Sequence, residues 1–334
     1  MKALLVAPLL IPLTTLVLCL LTRRSPRLSG LLSVLGSAAL GTIGLLMVWL
    51  AASGQILAGQ AGGWAAPYGI TLVVDRLSAA MVAITGIIGL ATALVALAHD
   101  DDRARGPDFH PLLHGLLVGV CGAFITGDVF NLYVWFEVLL VGSFALIVLG
   151  GGRRRLAGTV VYVVLNLVAT MMFLLAAGLL YGASGSLNMA ELAQRFATGE
   201  VPVTANAAVG LMLVAFSVKA ALFPVFGWLP ASYHVAWTPI SALFAGLLTK
   251  VGVYALIRTV TLLWPDSGIA HDVLLWVACA TMLIGVLGAA AQNEVRRILS
   301  FHIVSQVGYM ILGLALATPL ALAGAVFYLI HHIV

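Results

Sequence analysis

The sequence predicts an all-α, polytopic membrane protein, and three observations carry this prediction. Hydrophobic residues make up 62% of the 334-residue chain and charged residues only 8%, whereas about 25% of the residues of a soluble domain are charged. The apolar residues form segments of about 20 residues, the length that an α-helix needs to cross a bilayer. Arginines are concentrated in alternate loops between these segments.

Eleven apolar segments are predicted as transmembrane helices. They are residues 3–22, 31–52, 72–98, 111–127, 129–151, 157–182, 207–223, 239–264, 271–292, 296–317 and 319–334. Arg23 and Arg24 follow the first segment and no small-residue cleavage site does, so we expect a retained helix rather than a signal peptide. The last segment stops at Val334 without a polar residue to finish it. A terminus within the hydrocarbon would leave carbonyl groups unsatisfied, so we expect this sequence to be a fragment of a longer protein.

The loop arginines indicate the orientation in the membrane. Those in or beside the loops that follow odd-numbered segments are Arg23, Arg24, Arg27, Arg103, Arg105, Arg153, Arg154, Arg155, Arg296 and Arg297. The even-numbered loops hold little beyond Arg195. Under the positive-inside rule the odd-numbered loops are cytoplasmic, and the N-terminus lies outside. The net charge of +4 is therefore a topological signal, and no binding of nucleic acid is predicted.

The sequence contains no motif for bond chemistry, metal binding or nucleotide binding. Cys19, Cys121 and Cys279 lie in separate segments without a CxxC or Cys/His pairing. No Walker A, GxGxxG or HExxH pattern occurs. We therefore expect no metal site, no cofactor and no enzymatic activity.

Outside the apolar segments, "SLNMAELAQRF" at 186–196 has the apolar spacing of a short amphipathic helix on the outer surface.

Three charged residues lie deep within apolar segments, namely Glu137, Lys219 and Lys250. Such residues are costly in a bilayer and typically mark ion pathways, so they predict a proton relay. A glutamate and a lysine that are both buried have two accessible states, paired and charged or separated with the proton shifted. An arginine would serve poorly in this role because it does not release its proton. The alternative is a structural salt bridge between Glu137 and one of the lysines.

The stretch "VKAALFPVFGWLPASYHVAWTPISALFAGLLTK" at 218–250 predicts a broken helix. Pro224, Gly227 and Pro230 follow Lys219 closely, and an interrupted helix is tolerated at membrane depth only where it lines a protein cavity. Lys219 would lie at the negative dipole end of the first half-helix, which favours an ammonium group. The alternative is an ordinary proline kink without a transport role.

Histidines extend the set of candidate relay residues, because imidazole titrates near neutrality. The candidates are His234, His302, His331 and His332. His331 and His332 are adjacent, so they point to different sides of a helix and are not expected to chelate one ion together. For each of the four, a buried histidine satisfied by a hydroxyl group remains the alternative to a relay.

Residues 219–258 resemble the signature of the antiporter-like membrane subunits, with lysine, proline, Trp-Leu-Pro, histidine, Thr-Pro and lysine in that order. Respiratory complex I, membrane-bound hydrogenases and multisubunit Mrp cation/proton antiporters share these subunits. "FITGDVFNLYVWFEVLLVGSFALIVLGG" and "FYLIHHIV" resemble the D-type branch of the Mrp antiporter subunits more than the subunits of complex I. The resemblance covers nearly the whole chain.

The resemblance implies a fold of fourteen helices that contains two inverted five-helix repeats, each with a broken helix. The N-terminal helices would then occupy residues 1–110, the first repeat 111–264 with its break in span seven, and the truncated start of the second repeat 265–334. By motif position, Glu137 matches the essential glutamate of the family, Lys219 the broken-helix lysine and Lys250 the bridging lysine. His302, His331 and His332 fall in segments that lead towards the second half-channel.

The resemblance further implies a proton-translocating subunit of a multisubunit Na⁺/H⁺ antiporter in a bacterial cell membrane. Its partners would be the other subunits, the lipid bilayer, H⁺ and Na⁺ or another monovalent cation. Protons would enter near Glu137 and Lys219 and pass along the midplane through Lys250 and the histidines. Two alternatives remain open. One is a subunit of a redox-driven complex, which iron–sulfur partners would favour, and the other is a structural subunit whose charges only dock its neighbours.

Overall fold

The structure is a computed structural model, and it describes residues 2–98, 107–265 and 267–334. Two compact units make up the chain. The first contains Met1–Thr159 and Ala236–Phe244, and the second contains Val160–Val235 and Ala245–Val334. The predicted division at residues 110 and 264 concerns family repeats rather than compact units, and it remains a prediction.

Helices dominate both units. Those of the described residues are α1 (Lys2–Leu21), α2 (Pro26–Ala52), α3 (Arg76–Ala98), α4 (Phe109–Ile125), α5 (Val129–Val148), α6 (Arg153–Ser184), α7 (Met189–Thr198), α8 (Thr204–Ala220), α9 (Trp228–Ser232), α10 (Thr238–Leu263), α11 (Gly268–Ala290), α12 (Val295–Ala315) and α13 (Pro319–Ile333). Eight of these are long and apolar enough to cross a membrane, and α4, α8 and α13 are shorter apolar helices. Each of the eleven predicted segments overlaps one of these eleven helices, which confirms the helical membrane fold. The number of membrane crossings stays a prediction.

The third segment was predicted to begin at residue 72, and this boundary is wrong. Strand β2 (Thr71–Val74) precedes α3 and pairs antiparallel with β1 (Leu57–Gln60). The β-branched residues of β2 suit a strand, and the side chains of Leu57, Leu72 and Val74 are buried. The helix begins only at Arg76, where the Asp75 carboxylate accepts a hydrogen bond of 2.9 Å from the backbone N–H of Ser78.

Small residues allow close helix packing in the first unit. A Cβ atom added to Gly44 of α2 would lie 2.4 Å from Cα of Ala83 on α3. One added to Gly86 of α3 would lie 2.3 Å from the backbone nitrogen of Gly41. The backbones of α2 and α3 are therefore in contact at these glycines, and a larger residue at either position would push the two helices apart.

The predicted break in the seventh segment is confirmed. Helix α8 ends at Ala220, the chain continues without a helix to Gly227, and α9 begins at Trp228. The predicted amphipathic surface helix is also present as α7, capped by the side chain of Asn188 at its start and by Gly199 at its end. Of its residues, only Leu192 is buried.

Candidate functional site

Lys219 lies in the last turn of α8, where the predicted half-helix ends. Its side chain is buried, with 5% of the residue exposed. The ammonium group donates a hydrogen bond of 2.9 Å to Oγ1 of Thr170 on α6. The negative end of the helix dipole and this hydroxyl group both favour a positive charge at this position.

A hydrogen bond within α6 orients the hydroxyl group that Lys219 contacts. Oγ1 of Thr170 donates to the carbonyl oxygen of Asn166 at 2.7 Å. The side-chain amide of Asn166 makes a separate hydrogen bond of 2.9 Å to the carbonyl oxygen of Tyr162. Because the hydroxyl hydrogen of Thr170 is engaged with Asn166, its oxygen is available to accept from Lys219.

Protein groups satisfy the backbone where the helix breaks. Ala221 adopts the left-handed conformation (φ 61°, ψ 46°), and the N–H of Leu222 donates to the carbonyl oxygen of Ser217 at 3.0 Å. The indole N–H of Trp228 on α9 donates to the carbonyl oxygen of Val218 at 2.8 Å. The N–H of Phe223 donates to Oγ1 of Thr281 on α11 at 3.0 Å. These contacts hold the non-helical backbone beside Lys219 in one conformation.

Lys250 is fully buried in α10, and its ammonium group donates to the carbonyl oxygen of Ala245 at 2.5 Å. Two residues further on, a Cβ atom added to Gly252 would lie 2.6 Å from the backbone nitrogen of Ala220. The face of α10 that carries Gly252 therefore packs on the end of α8. Residues two positions apart project about 200° apart around a helix. Lys250 consequently lies on the side of α10 that faces away from the end of α8.

Three of the predicted histidines lie near one another on α12 and α13. The ring centroids of His302 and His332 are 6.3 Å apart. His332 is within electrostatic range of Lys250, His302 and His331. His302 and His331 are exposed, whereas His332 is half-buried, and His331 stacks on Phe327. The structure thus brings Lys250 and the histidines of α12 and α13 into one group.

His234 occupies a short turn of 3₁₀ helix after α9. Its Nδ1 donates to the carbonyl oxygen of Pro230 at 2.7 Å, and the side chain is half-buried. This backbone partner stabilises the turn that joins α9 to α10. It leaves Nε2 as the ring nitrogen for any further contact.

Glu137 belongs to the first unit, on α5. The Asp128 side chain caps this helix by accepting a hydrogen bond of 2.7 Å from the N–H of Asn131. Oε1 of Glu137 is shielded from solvent and accepts no hydrogen bond from a described residue. Tyr133 lies one turn earlier on the same face. A buried carboxylate oxygen without a protein donor needs a proton, a water molecule or a cation as its partner. A group that carries protons needs the same access to a proton or to water.

The sequence prediction missed Thr170 and Asn166, which lie in an apolar run of α6. Threonine and asparagine in such a helix commonly bond to their own backbone, so their spacing carries no sign of a distant lysine. Among the residues that the structure describes, no three His, Cys, Asp or Glu side chains are grouped to hold a metal ion.

These features define a polytopic helical membrane protein with a buried lysine at a broken helix. The family model described as NADH:quinone oxidoreductase/Mrp antiporter, transmembrane, matches residues 126–334. This range contains the break and every predicted site residue. The chain belongs to this family.

Relatives in the family are similar over the whole chain. A protein of Alkalihalophilus pseudofirmus, named as the D subunit of a Na⁺/H⁺ antiporter, is 41% identical over 100% of this chain and 68% of its own length. A protein of Bacillus subtilis with the same name is 38% identical over 98% of this chain and 66% of its own length. The chain therefore spans about two thirds of the length of these relatives.

Two solved structures share the fold. A chain of an Mrp complex from Dietzia sp. matches with a TM-score of 0.92 and 34% identity, over 99% of this chain and 62% of that chain. A chain of a membrane-bound sulfane sulfur reductase, an archaeal respiratory membrane complex, also matches with a TM-score of 0.92, at 28% identity. That match covers 98% of this chain and 68% of the other.

Proposed function

We propose that this chain is the proton-translocating part of a multisubunit Na⁺/H⁺ antiporter and is a secondary transporter subunit rather than an enzyme. The observation that carries the proposal is Lys219, a buried ammonium group at the end of a broken helix with an oriented hydroxyl acceptor. The two relatives named as Na⁺/H⁺ antiporter subunits, at 38–41% identity, support the choice of transport reaction.

The proposed path uses the predicted residues in sequence. Glu137 and Lys219 form the entry pair, and the state of this pair changes when neighbouring subunits change conformation. Lys250 receives the proton next and passes it to the histidines. The electrostatic interaction between Lys250 and His332 supports this last step, as does the placement of Lys250 on the side of α10 facing away from α8.

The proposal places the chain in the cell membrane of a bacterium, with its N-terminus outside and its arginine-rich loops in the cytoplasm. Its partners are the other subunits of the antiporter, the lipid bilayer, H⁺ and Na⁺. Residues 111–264 form the first of two inverted repeats in this proposal, and residues 265–334 begin the second.

A redox-driven proton pump is the second candidate function. The equal TM-score of the sulfane sulfur reductase chain favours it, because the same fold serves a respiratory complex there. Its identity of 28% is lower than the 41% of the antiporter subunit from Alkalihalophilus. Copurification with iron–sulfur subunits would support this second function.

Antiport in inverted membrane vesicles tests the proposal. Vesicles from antiporter-deficient cells would contain the full-length subunit with its partner subunits, and a fluorescent probe would report the pH gradient generated by respiration. We expect added Na⁺ to dissipate the gradient in the wild type but not in Glu137→Gln or Lys219→Ala. Glu191→Gln on the surface helix α7 is the matched control for the glutamate, and we expect it to transport as the wild type does.

The outcomes separate the alternatives once assembly of each variant has been shown by copurification. An intact wild-type complex that responds to no monovalent cation would contradict antiport and favour the redox-driven function. Normal transport by Lys219→Ala would contradict the relay and leave a structural role for the buried charges.

A further inference from the structure

A second buried polar cluster lies in the first unit, outside the residues of the proposed relay. We call it the histidine–serine seam, and it consists of Ser29, Ser33 and Ser37 on α2 with His110 and His114 on α4. None of these residues belongs to the family signature in residues 219–258 or to the candidates predicted from the sequence.

The geometry of the seam follows from the spacing of its residues. The three serines recur every fourth residue, so they share one face of α2 over about 12 Å, and at most 1% of each is exposed. His110 and His114 have the same spacing on α4 and are 3% and 0% exposed. Oγ of Ser33 lies 3.0 Å from Nε2 of His114, which joins the two faces by a hydrogen bond.

Several polar atoms of the seam have no hydrogen-bond partner among the described residues. Oγ of Ser29, Oγ of Ser37 and Nδ1 of His114 are buried and form no hydrogen bond with a described residue. Buried polar atoms nearly always have a hydrogen-bond partner, and ordered water commonly supplies it where protein groups do not. Three such atoms on facing helices therefore indicate bound water between α2 and α4.

One end of the seam lies close to the surface. His110 is the second residue of α4, and Asp108, immediately before that helix, pairs with Arg23 at 3.4 Å. The side chains of Arg23 and Asp108 are 54% and 44% exposed. The seam thus begins at an exposed ion pair on the side of the arginine-bearing first loop and runs inwards past His110 to His114.

We propose that the histidine–serine seam is a binding site for water and for one proton taken up from that side of the membrane. Serine hydroxyl groups both donate and accept, so Ser33 can serve His114 in either tautomer and in the protonated form. The two imidazoles lie within electrostatic range of each other, so the charge of one bound proton opposes binding of a second. The pair therefore acts as a single site.

Among the residues that the structure describes, few other titratable groups surround the seam. On α1 and just after it these are Cys19, whose Sγ donates to the carbonyl oxygen of Ser29 at 3.4 Å, and Arg23. Arg27 on α2 is exposed. From α3, the neighbours are Leu97 beside Gly30 and Gly89 beside Ser37. The ring of Trp237 packs against Phe109, the residue before His110. Asp108 supplies a carboxylate two residues before His110.

Hydrogen–deuterium exchange at the imidazole C2 position, measured by mass spectrometry, tests the proposal. The full-length subunit assembled with its partners would be incubated in D₂O between about pH 4 and pH 9, a range that brackets the ordinary titration of histidine. We expect the exchange rate of His114 to rise sigmoidally with pH, because water and protons reach the ring. The denatured chain supplies the reference rate.

A pair of serine variants makes the test specific. Ser33→Ala removes the hydroxyl group bonded to His114, and we expect the midpoint of its exchange curve to shift by about 0.5–1 pH unit, the size of one hydrogen bond. Ser143→Ala on α5 removes a serine that is equally buried but whose hydroxyl donates to its own helix. We expect that control to leave the midpoint unchanged.

Two results would overturn the proposal. His114 without detectable exchange in the assembled protein, but with normal exchange in the denatured chain, would be a dry structural residue. A midpoint that Ser33→Ala does not move would show that the seam does not set the titration of His114. Neither result depends on antiport, so a failure of the proposed function would be distinguishable from a failure of the seam.

Discussion

A lysine can be held inside a membrane when its surroundings favour the charge, and at the residue scale Lys219 shows how. The end of α8 supplies the negative pole of a helix dipole, and Thr170 supplies an oxygen whose own hydrogen points to Asn166. Hydrogen bonds to charged groups contribute about 1.5–3 kcal/mol, more than those between neutral groups. Thr170 is therefore a positioning residue for the proposed relay.

Substitution of Thr170 should slow proton transfer without changing the shape of the side chain. We expect Thr170→Val, which has nearly the same volume but no hydroxyl group, to lower the antiport rate by about tenfold or more, the equivalent of one charged hydrogen bond. Thr170→Ser should retain most of the rate. Vesicle assays across a range of pH would measure both variants. Equal rates in the valine and serine variants would contradict this role.

At the scale of helices, the crossing of α8 and α10 depends on Gly252. A side chain at this position would meet the backbone of Ala220 and Lys219 at 2.6–2.9 Å. Backbone atoms cannot move aside as the end of a flexible side chain can, so an added methyl group would push the two helices apart. The positions of Lys219 and Lys250 both depend on this contact.

A pair of glycine variants measures the contribution of that crossing. We expect Gly252→Ala to destabilise the protein by about 1–3 kcal/mol through overpacking. Gly178→Ala on α6 should be neutral or slightly stabilising, because a Cβ atom there meets nothing within 4 Å and alanine favours the helix. Thermal denaturation in detergent would compare the two. An unchanged midpoint for Gly252→Ala would show that α8 and α10 pack less closely.

At the scale of the whole molecule, the orientation in the bilayer depends on where the arginines lie along the chain. Gly151 lies in the loop between α5 and α6, two residues before Arg153, and Gly199 lies in the loop between α7 and α8. Their positive φ angles of 70° are alike, and a Cβ atom at either position meets nothing within 4 Å. Cysteine therefore meets no clash and the same backbone strain at the two positions, which makes them a matched pair.

Cysteine labelling at these glycines tests the orientation. In a chain with Cys279→Ala, we expect Gly199→Cys to react with a membrane-impermeant maleimide in intact cells. Gly151→Cys should react only after the cells are permeabilised, because its loop is cytoplasmic under the positive-inside rule. If only Gly151→Cys reacts in intact cells, the predicted orientation is wrong and the N-terminus lies inside.

The features that could be predicted are those that the chain encodes locally. The apolar segments were predictable as helices because the bilayer sets the length that a membrane helix needs. The break after Lys219 was predictable because proline and glycine act on their own backbone. The family resemblance added candidate roles for Glu137 and Lys250, and whether Glu137 contacts Lys219 stays a prediction.

The remaining features depend on which helix faces come together. The pairing of Leu57–Gln60 with Thr71–Val74, the hydroxyl of Thr170 beside Lys219 and the serines of α2 beside His114 each join residues that are far apart in the sequence. By itself, the sequence determined that this protein lies in a membrane, where its apolar helices fall along the chain and where one of them breaks. The tertiary structure alone decided which polar groups meet, because in an almost uniformly apolar chain many helix faces are equally suited to packing and only the assembled fold selects among them.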